Sequence, residues 1–217
     1  MDRELIDRVA KRYVKVSARM YAKGKLGSDP VCAQLVELGR ERGGLGRVVD
    51  VGCGRGQMGL LLLEAGLADS VVGFDWDEGK LADATAAASV EPALPLSVER
   101  GDVREHAIPA GDTVIVLDVL HYLTDVQQAA VVDKIVGVRA RTILVRELDP
   151  DRGWRSFTTR TQEAITTFFG YNVGERVRVR PIADVVGPLE AAGYTVRVEP
   201  SWGSTPFANV AVIGTRK

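Results

Sequence analysis

Four residues at regular spacing, Asp50, Gly52, Gly54 and Gly56, lie between a short apolar run and an apolar helical pattern. Glycines at such a turn let the backbone approach a ligand closely, and the carboxylate of Asp50 offers an acceptor to a cationic group. In open α/β sheets, nucleotide-like ligands bind beside turns of this kind. The pattern predicts a nucleotide-containing cofactor, although glycines that only permit a tight turn would produce it too.

Two cofactor patterns overlap in this turn. Gly54, Gly56 and Gly59 fit G-x-G-x-x-G, the fingerprint of dinucleotide binding. The segment from Asp50 to Gly56 fits D-x-G-x-G-x-G, a form typical of S-adenosylmethionine binding. Asp75, which ends a second apolar run, would accept hydrogen bonds from ribose hydroxyls in either case and does not discriminate between them.

Three residues favour the second pattern. In a dinucleotide turn the first glycine follows the strand directly, whereas Gly54 lies three residues beyond Val51. The carboxylate of Asp50 is a poor neighbour for a pyrophosphate and a good one for the ammonium of a methionine group. Asp102, after a third apolar run, offers an acceptor to an adenine amino group. S-adenosylmethionine is therefore the predicted cofactor, and a nicotinamide dinucleotide is the alternative.

Short apolar runs alternate with helical patterns through the middle of the chain. Such alternation indicates right-handed βαβ units and a parallel sheet covered on both faces. The predicted strands are Arg47–Val51, Val71–Phe74, Leu96–Arg100, Thr113–Leu117 and Thr142–Arg146, and the predicted helices cover 58–65, 78–89 and 125–137.

The amino-terminal segment has its own pattern. Apolar residues at mixed spacings of three and four predict one helix over 3–21, followed by a loop over 22–30. Ser28 or Asp29 would cap a further helix near 31–42, which begins with a proline.

The carboxyl-terminal segment departs from the alternation. A helix over 182–192 precedes two strands, Tyr194–Glu199 and Ala208–Gly214, and the residues between these strands are too few for a helical crossover. The two strands should therefore pair antiparallel at one edge. The predicted fold is α/β: a doubly wound, mostly parallel seven-stranded sheet with an antiparallel edge hairpin.

Composition limits the classes of protein that fit. With 217 residues, 46% of them apolar, the chain is expected to form a single domain with its own core. A formal net charge of −1 argues against a whole surface that recruits nucleic acid or anionic membrane. The two cysteines, Cys32 and Cys53, favour a reducing, cytoplasmic location. The longest apolar run is Met58–Leu63, so neither a signal peptide nor a membrane span is predicted.

With these motifs the sequence resembles the class I, Rossmann-like S-adenosylmethionine-dependent methyltransferases, clearly over 47–148 and loosely over 194–214. The resemblance implies that the turn holds the methionine part, that Asp75 binds the ribose hydroxyls and that Trp76 packs on adenine. The implied cofactor-binding residues are Asp50, Gly52, Cys53, Gly54, Gln57, Asp75, Trp76, Asp102, Val103 and Asp118. The plain alternatives are Trp76 as a core residue and Cys53 as a small turn residue.

Methyl transfer from a sulfonium needs alignment and a dry pocket, and it needs a base only when the acceptor arrives protonated. His121, which follows the fourth strand, is the first candidate for that base, and Glu147, at the end of the fifth strand, is the second. A histidine that only packs is the alternative. The fourth strand is not followed by an N-P-P-Y tetrad, which disfavours N-methylation of bases or glutamine amides, and no metal site is predicted.

Two segments outside the alternating core are predicted to select the acceptor: a helical cover over 1–30 and a lid over 149–181. Aromatic residues in the lid suit an apolar or aromatic acceptor, whereas a helix over 158–169 that packs these rings on the sheet is the alternative. The aromatic residues are Trp154, Phe157, Phe168, Phe169 and Tyr171.

Charge is unevenly distributed along the chain. Residues 1–25 carry eight cations and three anions, 138–180 carry nine and five, and 26–137 carry eight and eighteen. The basic segments suit an anionic acceptor, free or on an acyl carrier, although attraction between the covers and the core explains the same pattern. The predicted function is methyl transfer to a small molecule. An NAD(P)-dependent oxidoreductase and a non-catalytic S-adenosylmethionine-binding module are the alternatives.

Overall fold

A seven-stranded sheet forms the centre of the fold in the computed structural model, which describes residues 1–151, 178–203 and 208–216. The strands are β1 Arg47–Val51, β2 Ser70–Asp75, β3 Leu96–Arg100, β4 Thr113–Leu117, β5 Thr142–Leu148, β6 Thr195–Pro200 and β7 Asn209–Thr215. Their order is β3-β2-β1-β4-β5-β7-β6. β2 pairs in parallel with β1 and β3, whereas β7 pairs antiparallel with β5 and β6. The predicted fold class, including the antiparallel edge hairpin, is confirmed.

Helices alternate with the strands as predicted. In the described ranges the α-helices are α1 Arg3–Lys11, α2 Val16–Ser28, α3 Pro30–Glu41, α4 Gln57–Glu64, α5 Glu78–Ala88, α6 Asp125–Gly137 and α7 Ala183–Ala191. A short 3-10 helix covers Leu120–Tyr122. None of these helices is long and apolar enough to cross a membrane. The predicted strands and helices of the alternating core agree with the structure to within two residues, and β5 extends to Leu148 because β7 pairs with it that far.

By internal packing the chain divides into two compact units, Met1–Ile115 and Val116–Lys217. In the first unit, β1 is buried from its second residue onward and α4 is buried over most of its length, so both faces of β1 are covered. In the second unit every residue of β5 is buried. Most of the predicted lid, with its five aromatic residues and the helix over 158–169, lies outside the described residues.

The prediction of one helix over 3–21 and a loop over 22–30 is wrong. The chain forms two helices instead: α1 ends at Lys11, and the side chain of the buried Arg12 that follows holds the chain at this break by donating hydrogen bonds to the carbonyl oxygens of Val90 and Pro92, at 2.9 and 3.0 Å. These partners are distant in sequence, so helical periodicity carries no sign of the break. The second helix then continues to Ser28. Asp29 caps α3 by accepting a hydrogen bond from the Val31 amide, as one of the two predicted caps.

Candidate active site

The glycine-rich turn between β1 and α4 is fastened to the end of β2. The amides of Gly52 and Cys53 donate to the carbonyl oxygen of Phe74 at 2.9 and 3.1 Å, and the Gly54 amide donates to Asp75 Oδ2 at 2.8 Å. The φ angles of Gly52 and Gly54 are +72° and +54°, a region that side chains disfavour. The glycines therefore do build a tight turn, and this turn lies against the carboxylate that was predicted to bind ribose.

Asp75 connects two loops at the edge of the sheet. Its Oδ2 atom accepts from Gly54, and its Oδ1 atom accepts from the Asp77 amide at 2.9 Å. Its side chain is buried. These two hydrogen bonds fix the orientation of the Asp75 carboxylate beside the turn. Ribose binding by Asp75 remains a prediction.

Two buried acceptors in the turn have no hydrogen-bond partner among the described residues: Oδ2 of Asp50 and Oε1 of Gln57. Burial, and secondarily the nearby carboxylate of Asp75, raises the pKa of Asp50 to about 7. Buried acceptors of this kind are costly unless a donor reaches them. An ammonium group supplies such donors and a positive charge, so these residues fit the methionine end of S-adenosylmethionine.

Cys53 packs under the turn against Gly73 of β2. A methyl group on Gly73 would lie 2.8 Å from both Cβ and Sγ of Cys53, so only glycine leaves room for this contact. Burial raises the pKa of the Cys53 thiol, which keeps the side chain neutral. Gly73 was not among the predicted site residues, although a glycine inside an apolar strand is a signal of close approach.

Trp76 follows Asp75 directly and is 64% exposed, so the alternative that it is a core residue is wrong. The ammonium of Lys80 lies 5.9 Å from the centre of its ring. A large aromatic surface is therefore available beside the carboxylate of Asp75, as adenine packing requires. That packing remains a prediction.

The segment after β3 is held in a compact loop. The guanidinium of Arg104 binds the carboxylate of Asp102 through two nitrogen atoms, and Val103 is half-buried. His106 is half-buried because its ring packs 4.5 Å from that of Phe74 and against Gly101. Its Nε2 atom lies 3.2 Å from Glu99 Oε1. Adenine recognition by Asp102 and Val103 remains a prediction.

In the second unit the two candidate bases lie together. His121 Nδ1 is 2.7 Å from Glu147 Oε2, and both side chains are buried. The other oxygen of Glu147 accepts the Leu120 amide at 2.8 Å. The main chain of His121 is fixed as well, since its carbonyl oxygen accepts the Arg178 amide at 2.8 Å. His121 and Glu147, which the sequence indicated as separate candidates for the base, thus form one hydrogen-bonded dyad.

Asp118 forms an ion pair with Arg146 within the second unit. Arg146, also buried, binds its carboxylate through Nε and an Nη atom, and the Nε–Oδ1 distance is 2.9 Å. The backbone of Asp118 has φ +59°, a conformation that aspartate tolerates better than most residues. The pairing fixes the chain just before the dyad. A direct contact of Asp118 with the cofactor remains a prediction.

A small pocket that opens to solvent lies beside Glu147. Its apolar wall includes Leu120, Val132 and Val185, and the cationic residues Arg178 and Arg180 also line it. In the described part of the chain, no group of acidic, histidine and cysteine side chains is arranged to hold a metal ion.

Comparison with known proteins identifies a family domain in the chain. A family model described as "Methyltransferase domain" matches residues 48–140, which include the turn, Asp75, Asp102 and His121. No curated protein sequence matches the chain.

Solved structures share the fold at low sequence identity. Magnesium protoporphyrin IX methyltransferase (ChlM) from Synechocystis PCC 6803 with bound SAH is 21% identical with a TM-score of 0.68, and the match covers 97% of this chain and 94% of that one. An S-adenosylmethionine dependent methyltransferase from Mesorhizobium loti is 19% identical, with a TM-score of 0.61 and 83% and 98% coverage. The methyltransferase domain of bacterial-CtHen1-CN is 19% identical, with a TM-score of 0.61 and 85% and 96% coverage.

The fold and the turn define a Rossmann-like methyltransferase. The match over 48–140 identifies a methyltransferase domain, for which S-adenosylmethionine is the implied cofactor, and the chain shares its fold with S-adenosylmethionine-dependent methyltransferases.

Proposed function

We propose that the protein transfers the methyl group of S-adenosylmethionine to a small, anionic molecule with an apolar body, and that the His121–Glu147 dyad removes a proton from it. The observation that carries the catalytic part is the 2.7 Å contact between two buried, ionisable side chains. Buried pairs of this kind are a usual arrangement for a base and the group that orients it.

The turn and the end of β2 would hold the cofactor. Asp50 and Gln57 would accept from the methionine ammonium, because Oδ2 of Asp50 and Oε1 of Gln57 have no donor among the described residues. Asp75 would accept from the ribose hydroxyls, and Trp76 would cover the adenine. When bound, the cofactor supplies a methyl group already activated on a sulfonium.

The dyad would remove a proton from the acceptor. If Nδ1 of His121 carries a hydrogen that it donates to Glu147, the neutral ring has its lone pair on Nε2. Nε2 would then take the proton from the oxygen or nitrogen atom of an acceptor hydroxyl, amine or carboxylic acid. As that oxygen or nitrogen bonds to the methyl carbon, the bond from this carbon to the sulfonium sulfur would break and S-adenosylhomocysteine would leave. Glu147 would stabilise the resulting imidazolium, and its bond from the Leu120 amide would keep the carboxylate in place.

Charge and apolar surface support the class of acceptor. Lys11, Lys15, Arg19 and Lys23 are exposed around the α1–α2 junction, where Val14, Val16 and Met20 are exposed too. The pocket beside Glu147 also has an apolar wall, and Arg178 lines it together with the ion pair of Arg180 and Asp184. Both surfaces suit an amphiphilic anion, whether free or attached to an acidic carrier protein.

A screen with methyl-labelled cofactor tests this function. Phenols, carboxylic acids and acyl carrier conjugates would be offered in matched anionic and neutral forms, and we expect transfer to anionic, apolar members. The Michaelis constant of the acceptor should rise with salt, because screening weakens attraction between exposed charges. Transfer only to neutral acceptors, or a Michaelis constant insensitive to salt, would contradict the proposed acceptor class.

A further inference from the structure

We propose that Tyr13 is a positioning residue for the cofactor: its hydroxyl fastens the glycine-rich turn from outside the sheet, so that the α1–α2 segment is part of the binding apparatus. The phenol oxygen donates to the carbonyl oxygen of Arg55 at 2.8 Å. This inference rests on the proposed use of the turn to bind S-adenosylmethionine.

The position of Arg55 makes this contact consequential. Arg55 lies between Gly54 and Gly56, whose φ angles are +54° and +69°. Glycines have many accessible backbone conformations, so a turn built from them needs external contacts to hold one geometry. The Gly54 amide is fixed on the β2 side by Asp75, and Tyr13 fixes the opposite side at the next carbonyl group.

Tyr13 is suited to act as a permanent donor. It is 1% exposed, and burial raises the pKa of its phenol far above neutrality. The hydroxyl is therefore a hydrogen-bond donor at neutral pH. Its ring is anchored in the core of the first unit, so the bond to the turn comes from a rigid position.

Further contacts attach the same segment to the side chain of Arg55. The ring of Tyr21 lies 5.0 Å from the guanidinium carbon of Arg55. The Nε atom of Arg55 is 3.2 Å from Asp83 Oδ2, and Lys15 Nζ is 2.7 Å from the other oxygen of Asp83. Main chain and side chain of one turn residue are thus both held by the α1–α2 segment.

Binding of the cofactor and ordering of the turn should consequently be coupled. A ligand that needs the turn in one conformation binds more weakly when that conformation is only partly populated. The segment that the sequence indicated as a cover for the acceptor therefore has a second role, which is to pre-organise the cofactor site.

Tyr13→Phe tests the inference, because it removes the hydroxyl and keeps the ring. Tyr194→Phe is a matched control: Tyr194 is also buried, and its hydroxyl donates to the carbonyl oxygen of Ala140 at 2.7 Å, in the second unit. Affinity for S-adenosylhomocysteine would be measured by calorimetry, and the thermal midpoint of each variant would be recorded.

We expect both variants to lose similar stability, but only Tyr13→Phe to bind S-adenosylhomocysteine about three- to tenfold more weakly, as one neutral hydrogen bond would give. Amide hydrogen exchange over 52–57 in the free protein should be faster in Tyr13→Phe alone. Lys15→Met, at a position whose side chain is 65% exposed, would remove the outer contact without disturbing the core and should weaken binding about twofold.

The possible failures are distinguishable. Wild-type protein that does not bind S-adenosylhomocysteine would overturn the proposed function and this inference with it. If the wild-type protein binds S-adenosylhomocysteine and Tyr13→Phe binds it equally well, with unchanged amide hydrogen exchange over 52–57, this inference is overturned and the proposed function is not. Equal weakening by Tyr194→Phe would also overturn it, because the effect would then be general loss of stability.

Discussion

His121 Nδ1 lies 2.7 Å from Glu147 Oε2, and the two buried side chains come from separate elements, the 3-10 helix and β5. The second oxygen of Glu147 is occupied by the Leu120 amide, so the carboxylate has little freedom to turn away. A fixed carboxylate selects the tautomer of the imidazole, and that selection makes the dyad testable before any acceptor is known.

Glu147→Gln should reverse the histidine tautomer. The amide oxygen would take over the bond from Leu120, and the amide nitrogen would then donate to Nδ1, leaving the proton on Nε2. Nitrogen NMR of the imidazole would report this change, and His106 is an internal reference because the chain has two histidines. An unchanged tautomer would contradict the orienting role of Glu147.

The rate of methyl transfer should depend on both residues of the dyad. With an acceptor found in the screen, Glu147→Gln and His121→Ala should each lower kcat about a hundredfold or more. The double variant should be no slower than His121→Ala, since the two residues act as a unit. Affinity for S-adenosylhomocysteine should stay unchanged. Near-normal turnover in His121→Ala would leave the histidine structural.

Cofactor affinity should depend on pH through Asp50. Its pKa of about 7 in the free protein means that an ammonium must displace a proton to bind below neutrality. Affinity for S-adenosylhomocysteine should therefore fall roughly tenfold per pH unit below 7 and level off above it. Calorimetry in buffers of different ionisation enthalpy would show proton release at pH 6 and little at pH 8.

The free energy of unfolding of the cofactor-free protein should change with pH in the opposite direction to the affinity for S-adenosylhomocysteine. The folded protein holds the Asp50 proton at pH values where the unfolded chain, with a pKa near 3.8, has lost it. This residue therefore makes the free energy of unfolding fall as pH rises from about 4 to 7. Asp50→Asn should remove both this contribution and the pH dependence of binding. A pH dependence of binding that survives in Asp50→Asn would refute the assignment.

Trp76 should report cofactor binding. Its exposed ring is expected to stack on adenine, so saturating S-adenosylhomocysteine should change its fluorescence, and Trp76→Ala should weaken binding by about 1 to 3 kcal/mol. Trp76→Phe retains an aromatic face and should abolish the signal with a smaller loss of affinity. The same fluorescence change in Trp76→Phe would assign it to Trp154 or Trp202 and refute the stacking.

Gly73→Ala should destabilise the protein by about 1 to 3 kcal/mol, because the new methyl group would lie 2.8 Å from Cys53 and push the turn outward. Affinity for S-adenosylhomocysteine should fall as well. Gly137→Ala is the control, since a methyl group there meets nothing within 4 Å and lies at the end of α6. Denaturant unfolding should show that Gly137→Ala is as stable as the wild type or slightly more stable. A Gly73→Ala variant as stable as the wild type would contradict the close packing of Gly73 against Cys53.

Local sequence patterns determined much of this protein. Strand and helix order, the antiparallel hairpin and the Asp50–Gly56 turn follow from hydrophobic periodicity and from glycine spacing, which act over a few residues. The cofactor class followed from the same short segments, because a carboxylate and glycines at fixed spacing limit which ligand can approach.

Tertiary structure decided what depends on residues far apart in sequence. The chain between α1 and α2 is held by the bonds from Arg12 to Val90 and Pro92, and the dyad exists because β5 places Glu147 next to His121. The bond from Tyr13 to Arg55 likewise joins segments 42 positions apart. Hydrogen bonds of this kind leave no periodic trace in either segment, so the partners of His121 and of the glycine-rich turn become visible only when the chain is folded.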